Sequence, residues 1–284
     1  FSVTSEAPEI ADYINGHDHV TVDMGQIVFT DTTTMTADGP FQYQLHLLSG
    51  NKWMNFDVEI ESGAGIVPFT YKRSNSVNAV QWAVGLELAL LVKDPWRVYL
   101  TTDHPNGGPF TAYPKVISWL MSNKARQRVI SKIPRGARRR TSLETIDREL
   151  TFSDIAIMTR AGTARALGLR NKGHLGVGAD ADIAIYPVNP RAIDPSKGYK
   201  DLAKALGNAS YVLKEGQTIV SEGSIKRSGE GKTFWVDAKV PADLLSSMLP
   251  EFESKFKEYY TVRIENYAIQ ESYLSQSAPV TTTM

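Results

Sequence analysis

The sequence predicts an α/β protein, and three features predict it. Residues 78–96, "NAVQWAVGLELALLVKDPW", are apolar almost all round, with Val80, Val84, Leu88 and Leu91 in one row and Trp82, Leu86 and Leu90 in another. That pattern is a well-buried helix, and it must end before Pro95. The run "RVYLTT" (97–102) follows at once as a strand. A helix feeding a strand across so short a turn is the repeating unit of wound parallel sheets and barrels. The final third changes to short strands punctuated by glycine, which predicts antiparallel structure in a smaller domain.

The remaining elements follow in order. "HDHVTVDMGQIVF" (17–29) reads as a strand, Val20 and Val22 alternating with Thr21 and Asp23. "DTTTMTADGPF" (31–41) is polar, ends in Gly-Pro and reads as a loop. Residues 53–66 supply another short strand, stopped by Gly63 and Gly65. After Pro114, "KVISWLMSNKARQRVI" has apolar residues at 116, 117, 120 and 121, a helical spacing. "SKIPRGARRRTS" (131–142) holds five basic residues around Pro134 and Gly136. With no interleaved aromatic residue it reads as a solvated loop, not a nucleic-acid patch. "TFSDIAIMTRAGTARALGL" (151–169) opens with a capping-box pattern, Thr151 and Asp154, and closes on Gly168 as a natural C-terminal stop. "GHLGVGADADIAIYPVNP" and "SYVLKEGQTIVSEGSI" give short strands with turns at Glu215-Gly216 and Glu222-Gly223. Residues 242–267 add a helix and a last strand, and the polar tail from about residue 275 is expected to be poorly ordered.

Composition bounds the chemistry. The 284 residues suffice for one large domain or two smaller ones. Thirty-one basic side chains balance 31 acidic ones, so there is no overall field to attract nucleic acid or a membrane surface. There is no cysteine, which leaves His, Asp and Glu as the metal donors. No apolar run reaches the roughly 18 residues of a membrane span. The chain opens "FSVTSEAPEI", with neither Met nor a charged-then-apolar leader, and is read as a fragment or a processed chain.

The informative stretch is "VYLTTDHPNGGPF" (98–110). A β-branched strand meets an Asp-His pair, and Pro105, Gly107, Gly108 and Pro109 then keep the chain irregular. In parallel α/β barrels the reacting groups sit where strands end. Asp103 is therefore the candidate metal ligand and proton carrier, against the plainer reading of a loop Asp that caps the next helix. His104 and Asn106 are candidate substrate-binding residues. Neighbours along a strand point to opposite sides, so His104 is not expected to share an ion with Asp103. His46 and His174 have no partner pattern.

The stretch "SDIAIMTRAGTARALGLRNKGHLGVGADADIAIYPVNP" resembles the C-terminal signature of the amidohydrolase superfamily, and "YVLKEGQTIVSEGSI" looks like the hairpin that follows it there. "DTTTMTADGPF", "NAVQWAVGLELALLVKDPWRVYLTTDHPNGGPF", "TIDREL" and "GKTFWVDA" narrow the resemblance to one family. It is that of the amidohydrolase-type subunit of formylmethanofuran dehydrogenase and its relative in the bacterial formyltransferase/hydrolase complex. The resemblance runs from about residue 15 to about 273. It implies the C-terminal part of an amidohydrolase-type (β/α)8 barrel with an appended small β-sandwich domain. Residues 1–168 would hold the last barrel strands and helices, 169–236 the small β-domain, and 237–284 a helix, a strand and a flexible tail. It implies a dinuclear zinc site that interconverts formate plus the amine of methanofuran with N-formylmethanofuran. Asp103 would be one zinc ligand. A His-x-His pair, a carboxylated lysine and further histidines would come from an N-terminal half that this chain lacks, supplied by the same subunit or a split partner chain. "GHDH" (16–19) comes too late in that order to be the missing pair. Tungsto- or molybdopterin would sit on a partner subunit of a cytoplasmic complex, with no nucleic acid and no membrane insertion. Two other readings stand beside this one: an amidohydrolase acting on a cyclic amide or N-acyl group, and a non-catalytic scaffold subunit.

Overall fold

The computed structural model describes residues 3–36, 65–229, 231, 234–259 and 278–283. The chain divides into two compact units, Phe1–Thr34 with Pro68–Ser228, and Met35–Val67 with Gly229–Met284. Up to residue 225 the described elements begin with α1 (Ala7–Gly16), β1 (Val22–Asp23), β2 (Asp31–Thr36), β3 (Gly65–Thr70), α2 (Ser76–Leu91) and β4 (Val98–Tyr99). Five helices follow: α3 (Tyr113–Leu120), α4 (Asn123–Ile130), α5 (Arg135–Arg138), α6 (Phe152–Ala156) and α7 (Gly162–Ala166). Then come β5 (Ile183–Ile185), α8 (Pro195–Leu206), β6 (Tyr211–Lys214), β7 (Gln217–Ser221) and β8 (Ser224–Ile225). Strands β2 and β3 form a two-stranded sheet.

Helix α2 is the centre of the core. Asn75 caps it by accepting from the Val77 and Asn78 N–H groups, and it ends at Leu91, short of Pro95 as expected. Trp82, Leu86, Ala83 and Leu90 are buried in one core with Val98, Leu100, Leu120 and Met158. A side chain so fully packed contributes about 1.5–3 kcal/mol through removal of apolar area from water. Helix α1 lies against α2, and α8 against α3.

The single helix expected over 115–130 is two. Met121 ends α3, and the Ser122 hydroxyl accepts from the Ala125 N–H to start α4. Arg126 fixes this corner from inside. Its buried guanidinium donates to the carbonyls of Trp119 (2.7 Å), Ile146 (3.0 Å) and Arg148 (2.7 Å). Burial pulls its pKa down to about 10, against the opposing charges of Glu149 and Asp147.

The 131–142 stretch is also more ordered than a solvated loop. Ile133 and Ala137 are buried, and Arg138 pairs with Glu144 at 3.5 Å. Glu87, wholly buried on α2, accepts from the Ser5 hydroxyl and the Ser142 N–H, joining the start of the chain to this stretch. Burial raises its pKa above the ordinary value, the hydrogen bonds opposing. An acid with a raised folded-state pKa contributes stability that is complete below its unfolded pKa and is lost as pH rises through the folded value. Glu87→Gln, which cannot ionise, is expected to gain melting temperature relative to the parent chain as pH rises from about 4 to about 7. A Tm difference independent of pH would show that Glu87 ionises alike folded and unfolded.

The helix from 152 carries the expected capping box, Thr151 and Asp154 bonding reciprocally. Between α6 and α7 lies a π-helical turn, Ile157–Ala161, and Gly162 N–H reaches back to Ile157 O. Gly168, at φ 69°, closes the helix, with Gly168 N–H on Arg165 O and Leu169 N–H on Ala164 O. This is the two-bond glycine stop anticipated from the sequence.

The final third is antiparallel as expected, a four-stranded sheet in the order β5-β6-β7-β8. Glu215 with Gly216, and Glu222 with Gly223, all have positive φ, the geometry of tight hairpin turns. Lys172 bonds to Asp180 (2.8 Å) and Asp182 (2.7 Å), and Lys214 to Asp182 (3.1 Å), tying the preceding loop to this sheet. Burial pushes the Asp182 pKa up, but hydrogen bonds from Lys172, the Glu215 N–H and Lys214 bring it down to about 2.

Four further expectations change. The strand expected at 17–29 is regular only over Val22–Asp23. Residues 31–36, expected as loop, form β2, where three consecutive threonines favour a pleated backbone. Of the strand expected at 53–66, residues 53–64 lie outside the described residues, and Gly65, expected to stop it, instead begins β3, which runs to Thr70. In the second unit, the tail expected to be poorly ordered gives β10 (Ala278–Thr283), parallel to β9 (Phe234–Lys239). That unit also contains helix α9 (Ala242–Tyr259). The last strand expected before residue 267 and the other parts of 37–64 lie outside the described residues.

Candidate active site

Strands β1 and β4 are parallel neighbours, Val22 opposite Val98 and Asp23 opposite Tyr99. Their ladder continues past the regular residues, with Met24 N–H on Tyr99 O (3.0 Å) and Gln26 N–H on Thr101 O (2.8 Å). On the other side Leu100 N–H donates to Met158 O, at 3.2 Å. The chain therefore reaches Thr102, which is buried, with its path already fixed on both sides.

Asp103 then turns sharply, at φ 45°. This left-handed region disfavours most side chains, Asp less than most, and non-glycine residues held there cluster at functional sites. The turn is held from within. Asp103 O accepts from the Asn106 N–H (2.5 Å) and the Gly107 N–H (3.3 Å), and Gly107 N–H also reaches Thr102 O (3.1 Å). Gly107 O in turn accepts from Val28 N–H at 2.8 Å, stitching the loop onto the segment beyond β1. A Cβ on Gly107 would lie 2.6 Å from Thr102 O, so only glycine allows this approach.

The turn presents the Asp103 carboxylate to solvent. Its Oδ2 accepts from Asn106 Nδ2 at 3.1 Å. The buried Tyr71 hydroxyl feels the same carboxylate: burial first, then the Asp103 charge, pushes its pKa up to about 12. His104 is exposed and packs edge-on against Phe110, centroids 4.9 Å apart. Because 103–106 form a turn, the alternation argued for His104 on a strand does not apply. The structure thus brings Asp103 and Asn106 together and directs His104 toward Phe110. A cleft of about 830 Å³ lies beside the same strand end, lined by Leu100, Thr101, Phe110, Tyr113, Phe152 and Tyr186 among others.

Two residues near the site were not singled out from the sequence. Asp23 ends β1 as Asp103 follows β4, and it accepts from the Thr101 hydroxyl and from Gly25 N–H (2.9 Å). The carboxylate before glycine in "VTVDMG" was a readable signal. Tyr71 had none, since it is brought near Asp103 by pairing of β2 with β3.

The other described histidines fall elsewhere. His17 and His19 precede β1, at the opposite end of the β1–β4 pair from Asp103. His17 stacks on Tyr13 at 4.0 Å. Both ring nitrogens of His174 serve its own loop, one meeting Arg170 O (2.9 Å), the other accepting from Gly176 N–H (3.1 Å). His46 lies outside the described residues. Among the described residues no three metal-binding side chains converge. No helix among them is long and apolar enough to cross a membrane.

Asp103 thus lies just beyond the C-terminal end of a parallel strand in an α/β protein, the end at which such folds carry their reacting groups. The chain belongs to the amidohydrolase family, whose model matches residues 2–220. It is 48% identical over 271 residues to Protein FwdA of Methanocaldococcus jannaschii, covering 95% of this chain and 47% of that one. It is 37% identical over 269 residues to the FhcA component of the formyltransferase/hydrolase complex of Methylorubrum extorquens, covering 94% and 46%. A crystal structure of the FhcABCD complex from M. extorquens with methylofuran superposes with a TM-score of 0.77 at 34% identity, over 98% of this chain and 49% of that one. The chain spans about half the length of these relatives.

Proposed function

We propose that this chain is the Asp103-bearing half of the amidohydrolase-type subunit of a formylmethanofuran dehydrogenase. It would form the C-terminal end of an amidohydrolase-type (β/α)8 barrel with a small β-sandwich domain. On this reading 1–168 are the last barrel strands and helices, 169–236 the β-domain, and 237–284 the terminal helix, strand and tail. The reaction interconverts formate plus the amine of methanofuran with N-formylmethanofuran and water. The observation that carries it is similarity to Protein FwdA along 95% of the chain, together with a carboxylate held in a left-handed turn at a strand end.

Asp103 fits a zinc site as one donor only, and the remaining donors belong to the rest of the polypeptide. When bound, zinc polarises a formyl or formate oxygen and makes water a better nucleophile near neutral pH. Asn106 donates to Oδ2 of Asp103 and so would orient the carboxylate that would hold the metal and carry the proton. In the hydrolytic direction Asp103 takes the proton of the attacking water and passes it to the departing amine. In the formylating direction it returns that proton to the oxygen that leaves as water. His104 lies one residue on, where a bound carrier would pass. The missing half, the other complex subunits and a tungsten- or molybdenum-bearing partner complete a cytoplasmic assembly.

Metal analysis and a formyl-transfer assay test this together. The assembled protein is expected to bind zinc and turn over formylmethanofuran, and the 284-residue chain alone to do neither. Two tightly bound zinc ions on the isolated chain, or turnover of cyclic amides with none of formylmethanofuran, would overturn the assignment.

A further inference from the structure

The 3-10 turn Pro95–Arg97 leads into β4 and places Trp96 beside the end of the π-helical turn and the loop after α7. Trp96 is fixed there, its backbone N–H donating to Asp94 Oδ1 at 3.0 Å. The loop doubles back because Gly168 and Gly173 both adopt the left-handed backbone, at φ 69° and 79°. A Cβ on Gly173 would lie 2.7 Å from the Ala164 Cβ and 2.8 Å from Arg160 O, so the loop closes onto α7 only with glycine there. Between these elements lies a cavity of about 380 Å³, at the opposite end of β4 from Asp103.

Its lining is of two kinds. Trp96, Ala161 and Leu169 supply an apolar side. Arg165, Arg170, Lys172 and His174 supply a basic side, and no carboxylate lines the cavity. Two of these four are already engaged: Lys172 meets Asp180 and Asp182, and His174 uses both ring nitrogens within its own loop. The arginines are not. Among the described residues neither meets a carboxylate, and the Arg165 guanidinium instead lies 5.6 Å from the Trp96 ring centroid. Contact with the indole restrains that guanidinium on one face and leaves its N–H edge open. Two unpaired guanidinium groups at one cavity raise the local positive potential, and the apolar side weakens its screening.

We propose that this cavity binds a small ligand carrying one oxyanion, a carboxylate or a phosphate ester, on an aromatic ring. The two guanidinium groups take the oxyanion oxygens, which their planar forks suit. The ring rests against Leu169, Ala161 and the half-buried Trp96 indole. A volume near the lower end of the range for small-molecule sites leaves room for one ring and its acid group. The site and Asp103 lie at opposite ends of β4, so the inference does not rest on the proposed reaction.

Ligand-observed NMR titration of the intact protein tests it. Phenyl phosphate and benzoate join ring and anion, whereas inorganic phosphate and benzyl alcohol each offer only one of the two. At least one joined probe is expected to bind saturably and about tenfold or more tighter than either of its halves. The one that does so separates a phosphate ester from a carboxylate. Arg165→Gln and Arg170→Gln are each expected to weaken it about tenfold, and Arg165→Lys, which keeps the charge without the fork, to weaken it less. Arg191→Gln, at an exposed arginine outside the cavity, and Asp103→Asn are expected to leave it unchanged. Joined probes that bind no better than their halves, an affinity that survives both cavity arginine-to-glutamine substitutions, or an equal loss in Arg191→Gln would overturn the proposal. Because Asp103→Asn leaves this readout intact, its outcome is separable from that of the formyl-transfer assay.

Discussion

Asp103→Asn is expected to lower formyl transfer by the assembled protein by about 1,000-fold or more, the scale on which loss of a group acting in the transition state registers. The amide has nearly the carboxylate's shape, so the left-handed turn and the bond to Asn106 can both persist. What it loses is the negative charge and the capacity to hold a proton. The loss should fall on kcat, with KM changed little, because the substrate-binding surface is intact. Zinc content should fall as well, an amide oxygen being a weaker donor than a carboxylate. Steady-state kinetics and metal analysis on the same preparation check both expectations. Unchanged turnover would favour a scaffold whose metal site has decayed.

Gly107→Ala should have the next largest effect, although residue 107 contributes no chemistry. The new methyl would lie 2.6 Å from Thr102 O and 3.2 Å from Gln26 O, both backbone atoms fixed by the β1–β4 ladder. The loop must give way instead, carrying Asp103 and Asn106 with it. A displacement near 1 Å in a catalytic group costs roughly 100-fold in rate. The crowding should also cost about 1–3 kcal/mol of stability. Gly136→Ala is the matched control, because a Cβ there meets nothing within 4 Å and adds helix propensity in α5. Thermal melts and turnover of the two variants side by side check this. Full activity in Gly107→Ala would mean that the placement of Asp103 is set elsewhere.

What could be read from the sequence was local chemistry. The end of α2 before Pro95, the Thr151–Asp154 box, the glycine stop at 168 and the hairpin turns at 215–216 and 222–223 each follow from one or two residues whose backbone preferences leave little choice. The position of Asp103 at a strand end was legible for the same reason. What escaped depends on partners distant in sequence. Strand β2 is polar and reads as loop until β3 is there to pair with it. The break at Ser122 hides inside a continuous apolar period, because one hydroxyl decides it. Tyr71 comes under the influence of Asp103 only through tertiary structure, and no spacing announces that.

The wide turn at Ile157–Ala161 has a consequence for how this chain can vary. It holds one residue more than an ordinary helical turn would, and the strand leading to Asp103 takes a carbonyl from within it, that of Met158. Deleting a single residue there would leave an ordinary turn, with the helix on either side still in register, because the extra residue is what the wide turn absorbs. What would be lost is the carbonyl that the wide turn aims at Leu100 N–H, and with it one side of the support for the strand leading to Asp103. Length in this stretch is thus constrained through that bond, and relatives should be more tolerant of substitution than of gaps across 157–162.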